Sequence, residues 1–178
     1  TEYHQGLKIE KSYKCNNNSA EVCSKIIEVQ PSFVEIIKNF NTSAYGEIYL
    51  LAYKMFINNP ITGIGINNFK YMCETNDFYK DLMVNYDCAS HPHNIYIQWL
   101  SEGGLFVFFT FILYLLFLIT FIVKNEGEKK FKIISLIVIL IMFWPIMSTG
   151  SLIKNWYGII TFFIIGVSMR LSKFRNID

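Results

Sequence analysis

The chain has 178 residues, a formal net charge of +2 at pH 7, and 52% hydrophobic against 17% charged residues. Its mean hydropathy of +0.30 is high for a soluble domain with this much charge, so the apolar residues must be concentrated in one part of the chain. With a nearly balanced charge we expect no nucleic-acid partner.

The first half of the chain is predicted to be exposed to water. Residues 1–100 hold ten acidic residues, eight lysines and all four cysteines, but no arginine and no long apolar run. Residues 7–43 show little periodicity, which indicates loop with a short helix near 20–28. Apolar residues at helical spacing predict a helix at about 44–58. We expect residues 1–95 to form a large extracytoplasmic loop region.

The four cysteines agree with an outside location. Cys15 and Cys23 are close in sequence, and so are Cys73 and Cys88. An even number of cysteines in an oxidising compartment indicates two disulfides, and of the three possible pairings we favour the two local ones. A Cys73–Cys88 bond would close a loop just before His91. The alternatives are unpaired thiols or a zinc site, although the spacings match no common zinc finger.

The second half of the chain is predicted to lie in a membrane. Residues 103–123 and 133–153 are two runs of 21 residues without a charge, and residues 155–169 add 15 more. Uncharged runs of about 18 residues or more are typical of transmembrane helices. We therefore predict an all-α integral membrane protein, in which the large extracytoplasmic loop region is followed by three transmembrane helices. Their expected ranges are about 96–123, 131–148 and 153–170.

Basic residues in the loops predict the orientation. Residues 124–132 contain four lysines, and the tail contains Arg170, Lys173 and Arg175, whereas the loop at 148–155 contains only Lys154. By the positive-inside rule the lysine-rich loop and the tail, residues 171–178, face the cytoplasm. The first residues then lie outside, although the chain starts at Thr1 without a signal peptide. We expect a fragment of a larger polytopic protein whose earlier helices are missing; the alternative is a signal sequence already removed.

The segment from His91 to Asn94 is the best candidate for chemistry. Pro92 disfavours helix at His91, and Asn94 is a good N-cap for a helix that starts at Ile95. His93 then precedes a helix N-terminus, which attracts anions and favours a neutral imidazole. Such a histidine at a membrane surface suits general-base chemistry on a lipid-linked phosphate donor. From periodicity alone, the simpler interpretation is that both histidines are surface residues of a loop.

The chain resembles the C-terminal part of the superfamily of O-antigen ligases and O-antigen polymerases, which are bacterial membrane glycosyltransferases. The family pattern is His-Asn, nine residues, and Gly-x-x-Gly; here His93-Asn94 is followed by nine residues and Gly104, while Val107 replaces the second glycine. Upstream, MFINNPITGIGINNFKYMC resembles the family's helix, its Pro-x-x-Gly-x-Gly and its Asn-Phe-basic sequence. Downstream, PIMSTGSLIKNW resembles a small-residue turn followed by Asn-Trp.

The resemblance implies a metal-independent, inverting glycosyltransferase of the bacterial inner membrane that needs no cofactor. Its donor would be a glycan on undecaprenyl diphosphate, and its acceptor a hydroxyl of a glycan or a lipid core, with membrane lipid as a further partner. His93 would be the catalytic base or the residue that positions the acceptor, in a periplasmic loop. Ligase, polymerase and protein O-glycosyltransferase share the motif.

The resemblance also implies basic residues that hold the diphosphate, and the family usually uses arginine for this. No arginine precedes Arg170, and the sequence reads Tyr45-Gly46-Glu47 where relatives often carry one. Lys70, in the Asn-Phe-basic position, and then Lys54 are the nearest substitutes. The simpler interpretation of Lys70 is an ordinary solvated lysine. The residues assigned to substrate binding are Lys70, Lys54, Asn94, His91 and Glu102. Glu102 would orient acceptor hydroxyls or be a charged residue at the interface, and we favour the second.

Two other functions remain open. The first is a non-enzymatic polytopic membrane protein, such as part of a polysaccharide transporter or flippase. Transporters typically carry intramembrane charges or broken helices, and here Pro145 is the only such break. The second is a His-x-His metal site that uses Asp87 or Cys88 as a further ligand.

Overall fold

The computed structural model describes residues 7–14, 22–29, 33–38 and 40–175. It begins with an antiparallel hairpin of β1, Leu7–Lys14, and β2, Val22–Val29, in which Leu7 pairs with Val29 and Lys14 with Val22. The short helix expected near 20–28 is therefore wrong, because residues 22–28 belong to a strand. From residue 33 onward the described chain is helical, as expected for the fold class.

The next elements form a small helical layer around α2. Helix α1 spans Phe33–Lys38, a 3-10 helix spans Phe40–Thr42, and α2 spans Ala44–Asn58, over the residues for which a helix is predicted. Ser43 caps α2, because its side chain accepts a hydrogen bond from the Gly46 amide at 3.1 Å.

Two short helices complete this layer: α3 spans Phe69–Thr75 and α4 spans Asp77–Lys80. Apolar side chains from α2, α3 and α4 form one buried cluster. Leu51, Met55 and Phe69 are fully buried at its centre. This cluster fixes α2 beside the histidine segment and packs it against the next helix, α5.

Helix α5, Ile95–Lys124, is the longest element and contains 30 residues. Asn94 caps it, as the sequence predicts, by accepting hydrogen bonds from the Tyr96 and Ile97 amides at 3.0 and 3.2 Å. The helix is kinked at Gly104, whose φ is 65° and ψ is −167°. Among the described residues, α5 alone has both the length and the composition that could cross a membrane.

The last two helices are α6, Lys129–Met142, and α7, Asn155–Leu171, with 14 and 17 residues. Helix α6 ends six residues earlier than predicted. Pro145 has no amide hydrogen and disfavours helix in the residue before it, so the apolar run continues past the helix without being helical. A helix of 14 residues is about 21 Å long, which is less than the roughly 30 Å of a bilayer core.

Helices α5, α6 and α7 pack on one another through a second apolar cluster that includes Phe111, Leu118 and Ile139. Their outward faces carry large exposed side chains, such as Phe109 at 58%, Leu113 at 65% and Phe163 at 70%. A soluble protein rarely leaves such a continuous apolar surface in water, so this surface is the structural feature that agrees best with a membrane location.

One end of the three helices carries the basic residues. The Glu126 carboxylate pairs with Arg175 at 2.7 Å, and the side chains of Asn125 and Ser172 are joined by a hydrogen bond of 2.6 Å. Lys132 donates to the carbonyls of Val123 and Asn125, which caps α5 at its C-terminus. The loop after α5 and the segment after α7 therefore meet at the end opposite the histidine segment.

Candidate functional site

His93 lies in a tight bend immediately before α5. Its φ is 55°, in the left-handed region that few residues other than glycine adopt. The Thr149 amide donates a hydrogen bond to the His93 carbonyl at 2.7 Å, and this bond holds the bend in place. The His93 side chain is half-buried, so part of the ring remains accessible. The bend presents the imidazole at the N-terminal end of α5.

Asn94 ties this bend to the chain that follows α6. Its side-chain oxygen caps α5, and its amide nitrogen donates to the Pro145 carbonyl at 2.7 Å. The residue is only 5% exposed. Both polar atoms of Asn94 are thus occupied within the protein. Asn94 therefore fixes the backbone that carries His93, and its assignment to substrate binding stays a prediction.

His91 is buried beneath His93. Its Nδ1 lies 2.9 Å from the Ser90 hydroxyl, its Nε2 lies 3.4 Å from the Thr149 carbonyl, and the two histidine rings are 4.3 Å apart between centroids. A proton on Nε2 satisfies the carbonyl and leaves Nδ1 to accept from the hydroxyl. With 8% exposure, His91 is not the surface loop residue of the simpler interpretation, and its assignment to substrate binding stays a prediction.

Tyr45, at the start of α2, also contacts the His93 ring. The two rings meet edge-on with centroids 6.0 Å apart, and the Tyr45 hydroxyl lies 3.3 Å from the Ser148 hydroxyl. Sequence reasoning missed this residue, although it noted that the position departs from the family pattern. A tyrosine therefore lies against the catalytic candidate in the region where relatives often carry an arginine.

Burial keeps both histidines neutral. Desolvation is the main cause that lowers the pKa of His91 to about 4, and the neighbouring His93 and Lys154 lower it further, while the bond to Thr149 opposes them. Burial and then Lys154 also hold the pKa of His93 below its usual 6.5. A neutral His93 at pH 7 has a free lone pair that can accept a proton. The sequence predicts a neutral His93, and the pKa of His93 is indeed lowered. The causes are burial and Lys154.

Glu102 is a buried structural anchor. Its carboxylate accepts hydrogen bonds from the amides of Asn67 and Phe69 at 3.1 and 3.3 Å, and from the Gln98 side chain at 3.0 Å. With 1% exposure it is not the interfacial charge that the sequence favours. Three donors within the protein bond to its oxygens, and its assignment to acceptor binding stays a prediction. Glu102 instead holds the loop after α2 against α5.

The glycine-rich loop at 60–65 is joined to the kink of α5 by four backbone hydrogen bonds. The amides of Ile64 and Gly65 donate to the carbonyls of Ser101 and Glu102, and the amides of Leu105 and Phe106 donate to those of Pro60 and Ile61. These bonds are possible because the backbone of α5 opens at Gly104. The Pro-x-x-Gly-x-Gly sequence therefore serves helix docking, which agrees with its simpler interpretation as a loop that needs backbone freedom.

Neither lysine assigned to substrate binding contacts His93. Lys70 is exposed on α3 and pairs with Glu74, four residues later, at 3.5 Å. Lys54 is half-buried on α2. It lies nine residues after Tyr45, which places it roughly 13 Å farther along the helix axis. The cation that acts on both histidines is instead Lys154, at the start of α7.

The Cys73–Cys88 disulfide is present and restrains the segment that leads to His91. Cys73 is fully buried in the core of the helical layer around α2. The Cys15–Cys23 pairing falls outside the described residues, because Cys15 is not one of them. Cys88 cannot also serve as the metal ligand that the His-x-His alternative required, and within the described parts of the chain no three His, Cys, Asp or Glu side chains converge on one point.

The sequence was compared with protein-family models, curated proteins and solved structures. A family model described as O-antigen ligase matches residues 17–112, which is more than half of the chain. The match covers α2, the glycine-rich loop, both histidines and the first part of α5. Neither the comparison with curated proteins nor that with solved structures finds a match.

Proposed function

The chain belongs to the O-antigen ligase family, and from that premise we propose that it is a glycosyltransferase of the bacterial inner membrane. It moves a glycan from an undecaprenyl-diphosphate carrier to a hydroxyl of a glycan or a lipid core. The observation that carries this proposal is His93, a neutral and partly accessible imidazole held in a strained bend by Thr149.

The proposed reaction is an inverting displacement at the anomeric carbon. An acceptor oxygen forms a bond to that carbon as the bond from carbon to the diphosphate oxygen breaks, and the electron pair leaves with the lipid diphosphate. His93 takes the proton of the acceptor hydroxyl, which makes the oxygen a better nucleophile. The residues present supply this base without a metal. His91 and Tyr45 contact the His93 ring, and Asn94 fixes the backbone that carries it.

The proposed location is a multi-pass protein with the His93 site outside the cytoplasm. Helix α5 would be about 45 Å long if straight, so His93 is far from the basic end formed by residues 124–132 and 170–175. The positive-inside rule assigns that basic end to the cytoplasm. The exposed apolar faces of α5, α6 and α7 support the membrane assignment. The short α6 would need the non-helical chain after it to complete the crossing.

Glycan profiling tests the proposed function. A strain that lacks the gene is complemented with wild type, His93→Ala or His4→Ala, and the membrane abundance of each variant is matched by immunoblot. His4 is the matched control, since it is the one histidine outside the family match. We expect long-chain surface glycan to be lost with His93→Ala and retained with His4→Ala. Unchanged long-chain glycan with His93→Ala would contradict the proposal.

The same profiles separate the two kinds of acceptor. Loss of the polymer ladder would indicate a polymerase, which adds glycan to glycan. Loss of capped lipid core, with the polymer still on its carrier, would indicate a ligase.

A further inference from the structure

The candidate site has one cation beside it, and neither the family pattern nor the sequence reasoning assigned that cation to substrate. Lys154 begins α7, where its carbonyl accepts the Gly158 amide and its own amide donates to the Ser151 carbonyl. Its side chain is exposed. Within residues 40–175, no carboxylate forms an ion pair with it; the three ion pairs found there involve Lys70, Lys130 and Arg175. In the part of the chain that the structure describes, Lys154 therefore has no acidic partner, and its exposed side chain is available to an anion.

The chain between α6 and α7 brings Lys154 to the histidines. Thr149 bonds to both of them, through its amide to the His93 carbonyl and through its carbonyl to His91. Two residues later, Ser151 accepts a hydrogen bond of 2.8 Å from Gln98 of α5. Both Thr149 and Ser151 are buried, with 4% and 2% exposure. The backbone that carries Lys154 is therefore fixed against the start of α5.

We infer that Lys154 binds the diphosphate of the lipid-linked donor beside His93, in the role that arginine usually has in relatives. The inference rests on the proposed function. Its support is the Thr149 backbone, which bonds to both histidines five residues before Lys154, together with the lack of an acidic partner for Lys154 among the described residues. The chain has no arginine before Arg170 that could take this role. A cation there would also stabilise the negative charge that develops on the leaving diphosphate.

The direct test is binding of undecaprenyl diphosphate without sugar to the purified full-length protein in phosphatidylcholine nanodiscs. We expect Lys154→Gln to raise the Kd at least about tenfold, a fold-change typical of the loss of one charge-assisted contact. Lys154→Arg should bind within about twofold of wild type. Lys80→Gln is the matched control, since Lys80 is an exposed lysine at the end of α4. An unchanged Kd with Lys154→Gln, or weakening by Lys70→Gln alone, would overturn the inference.

A second arm separates a lipid diphosphate from a phospholipid headgroup. The titrations are repeated with phosphatidylglycerol in the nanodiscs. If Lys154→Gln weakens binding in both lipids, the diphosphate is the ligand. If the variant changes only the competition by phosphatidylglycerol, the lysine holds a phospholipid headgroup and the inference is wrong.

Turnover then separates this inference from the proposed function. In the same nanodiscs, Lys154→Gln should raise the KM for the donor, and the acid limb of its pH profile should move to higher pH, because removing the cation raises the pKa of His93. Lys80→Gln should show neither change. Wild-type protein that binds undecaprenyl diphosphate through Lys154 but transfers no glycan would contradict the proposed function alone. Wild-type transfer with no change of KM in Lys154→Gln would contradict the inference alone.

Discussion

The Tyr45 ring meets the His93 ring edge-on at 6.0 Å between centroids, across 48 residues of sequence. The His91 ring is a second neighbour of this imidazole, with centroids 4.3 Å apart. A base must be held within a few tenths of an ångström of its working position, and small displacements lower the rate strongly. Tyr45 is therefore a positioning residue for His93.

Truncation of Tyr45 should lower turnover without weakening donor binding. We expect Tyr45→Ala to reduce kcat about tenfold with an unchanged KM for the donor, because the ring support is lost. Tyr45→Phe keeps the ring and loses only the bond to Ser148, so kcat should stay within about threefold of wild type. Tyr53→Ala is the control, since Tyr53 lies on the same helix with 55% exposure. Equal losses of kcat in Tyr45→Ala and Tyr53→Ala would argue against positioning.

Activity should persist below the ordinary pKa of histidine. Proton acceptance needs neutral His93, and its pKa is held below 6.5 by burial and Lys154. As the pH falls through 6.5, His93 stays neutral. The value of kcat/KM declines only when the pH falls below the lowered pKa of His93. We expect the acid limb of the profile of kcat/KM against pH to lie below 6.5, measured in vesicles with a lipid-linked donor. A midpoint at or above 6.5 would show that another group limits the reaction.

His91 should make the protein less stable in acid. Its pKa is about 4 in the folded state against 6.5 in the unfolded chain, so above pH 6.5 both states are neutral and there is no effect. Between pH 6.5 and 4 the unfolded chain takes up a proton that folded His91 does not. The folded state then loses up to roughly 3 kcal/mol, at 1.36 kcal/mol per unit of pKa difference.

The variant His91→Asn isolates this effect. At pH 7 it should be less stable by about 1–2 kcal/mol, because the contacts with Ser90 and Thr149 are weakened. Its melting temperature should fall less than that of wild type as the pH is lowered from 6.5 to 4.5. Parallel melting curves for the two proteins over that range would contradict the assignment to His91.

The buried carboxylate of Glu102 should matter for stability more than for chemistry. Glu102→Ala leaves the Asn67 and Phe69 amides without their acceptor, and each unsatisfied buried donor costs about 1–3 kcal/mol. We expect a clear drop in melting temperature in detergent. Glu74→Ala is the matched control, because its carboxylate is exposed and pairs only with Lys70. A normal melting temperature with an abolished rate would instead favour the acceptor role that the sequence allowed.

Local signals in the sequence predicted the local structure well. The spacing of apolar residues predicted α2, and Asn94 predicted the start of α5, because both features depend on neighbours within a few residues. Pro145 was recognised as a break, but its consequence for the length of α6 was not. The β1–β2 hairpin was missed because its stability depends on pairing between strands rather than on either strand alone.

The candidate site was predictable only in part. The motif identified His93, but its neighbours come from α2 and from the chain before α7, and tertiary packing alone brings them together. The available signal for Lys154 was that it is the only charged residue in the loop between the last two apolar runs. The surroundings of Glu102 could not be inferred, because burial of a carboxylate at a helix kink requires donors that are distant in sequence.

Gly104 gives the sharpest test of how the glycine-rich loop is held. Its φ of 65° is unfavourable for other residues, and a Cβ there would lie 2.4 Å from the Ile61 carbonyl oxygen. Gly104→Ala should therefore destabilise the protein by at least about 2 kcal/mol, from backbone strain and from loss of the bonds between α5 and the loop. Gly166→Ala is the matched control, since no atom lies within 4 Å of a Cβ at that position. Because alanine favours helix more than glycine by up to about 1 kcal/mol, Gly166→Ala should keep or raise the melting temperature. If both variants have the melting temperature of wild type, the kink at Gly104 is not what holds the loop against α5.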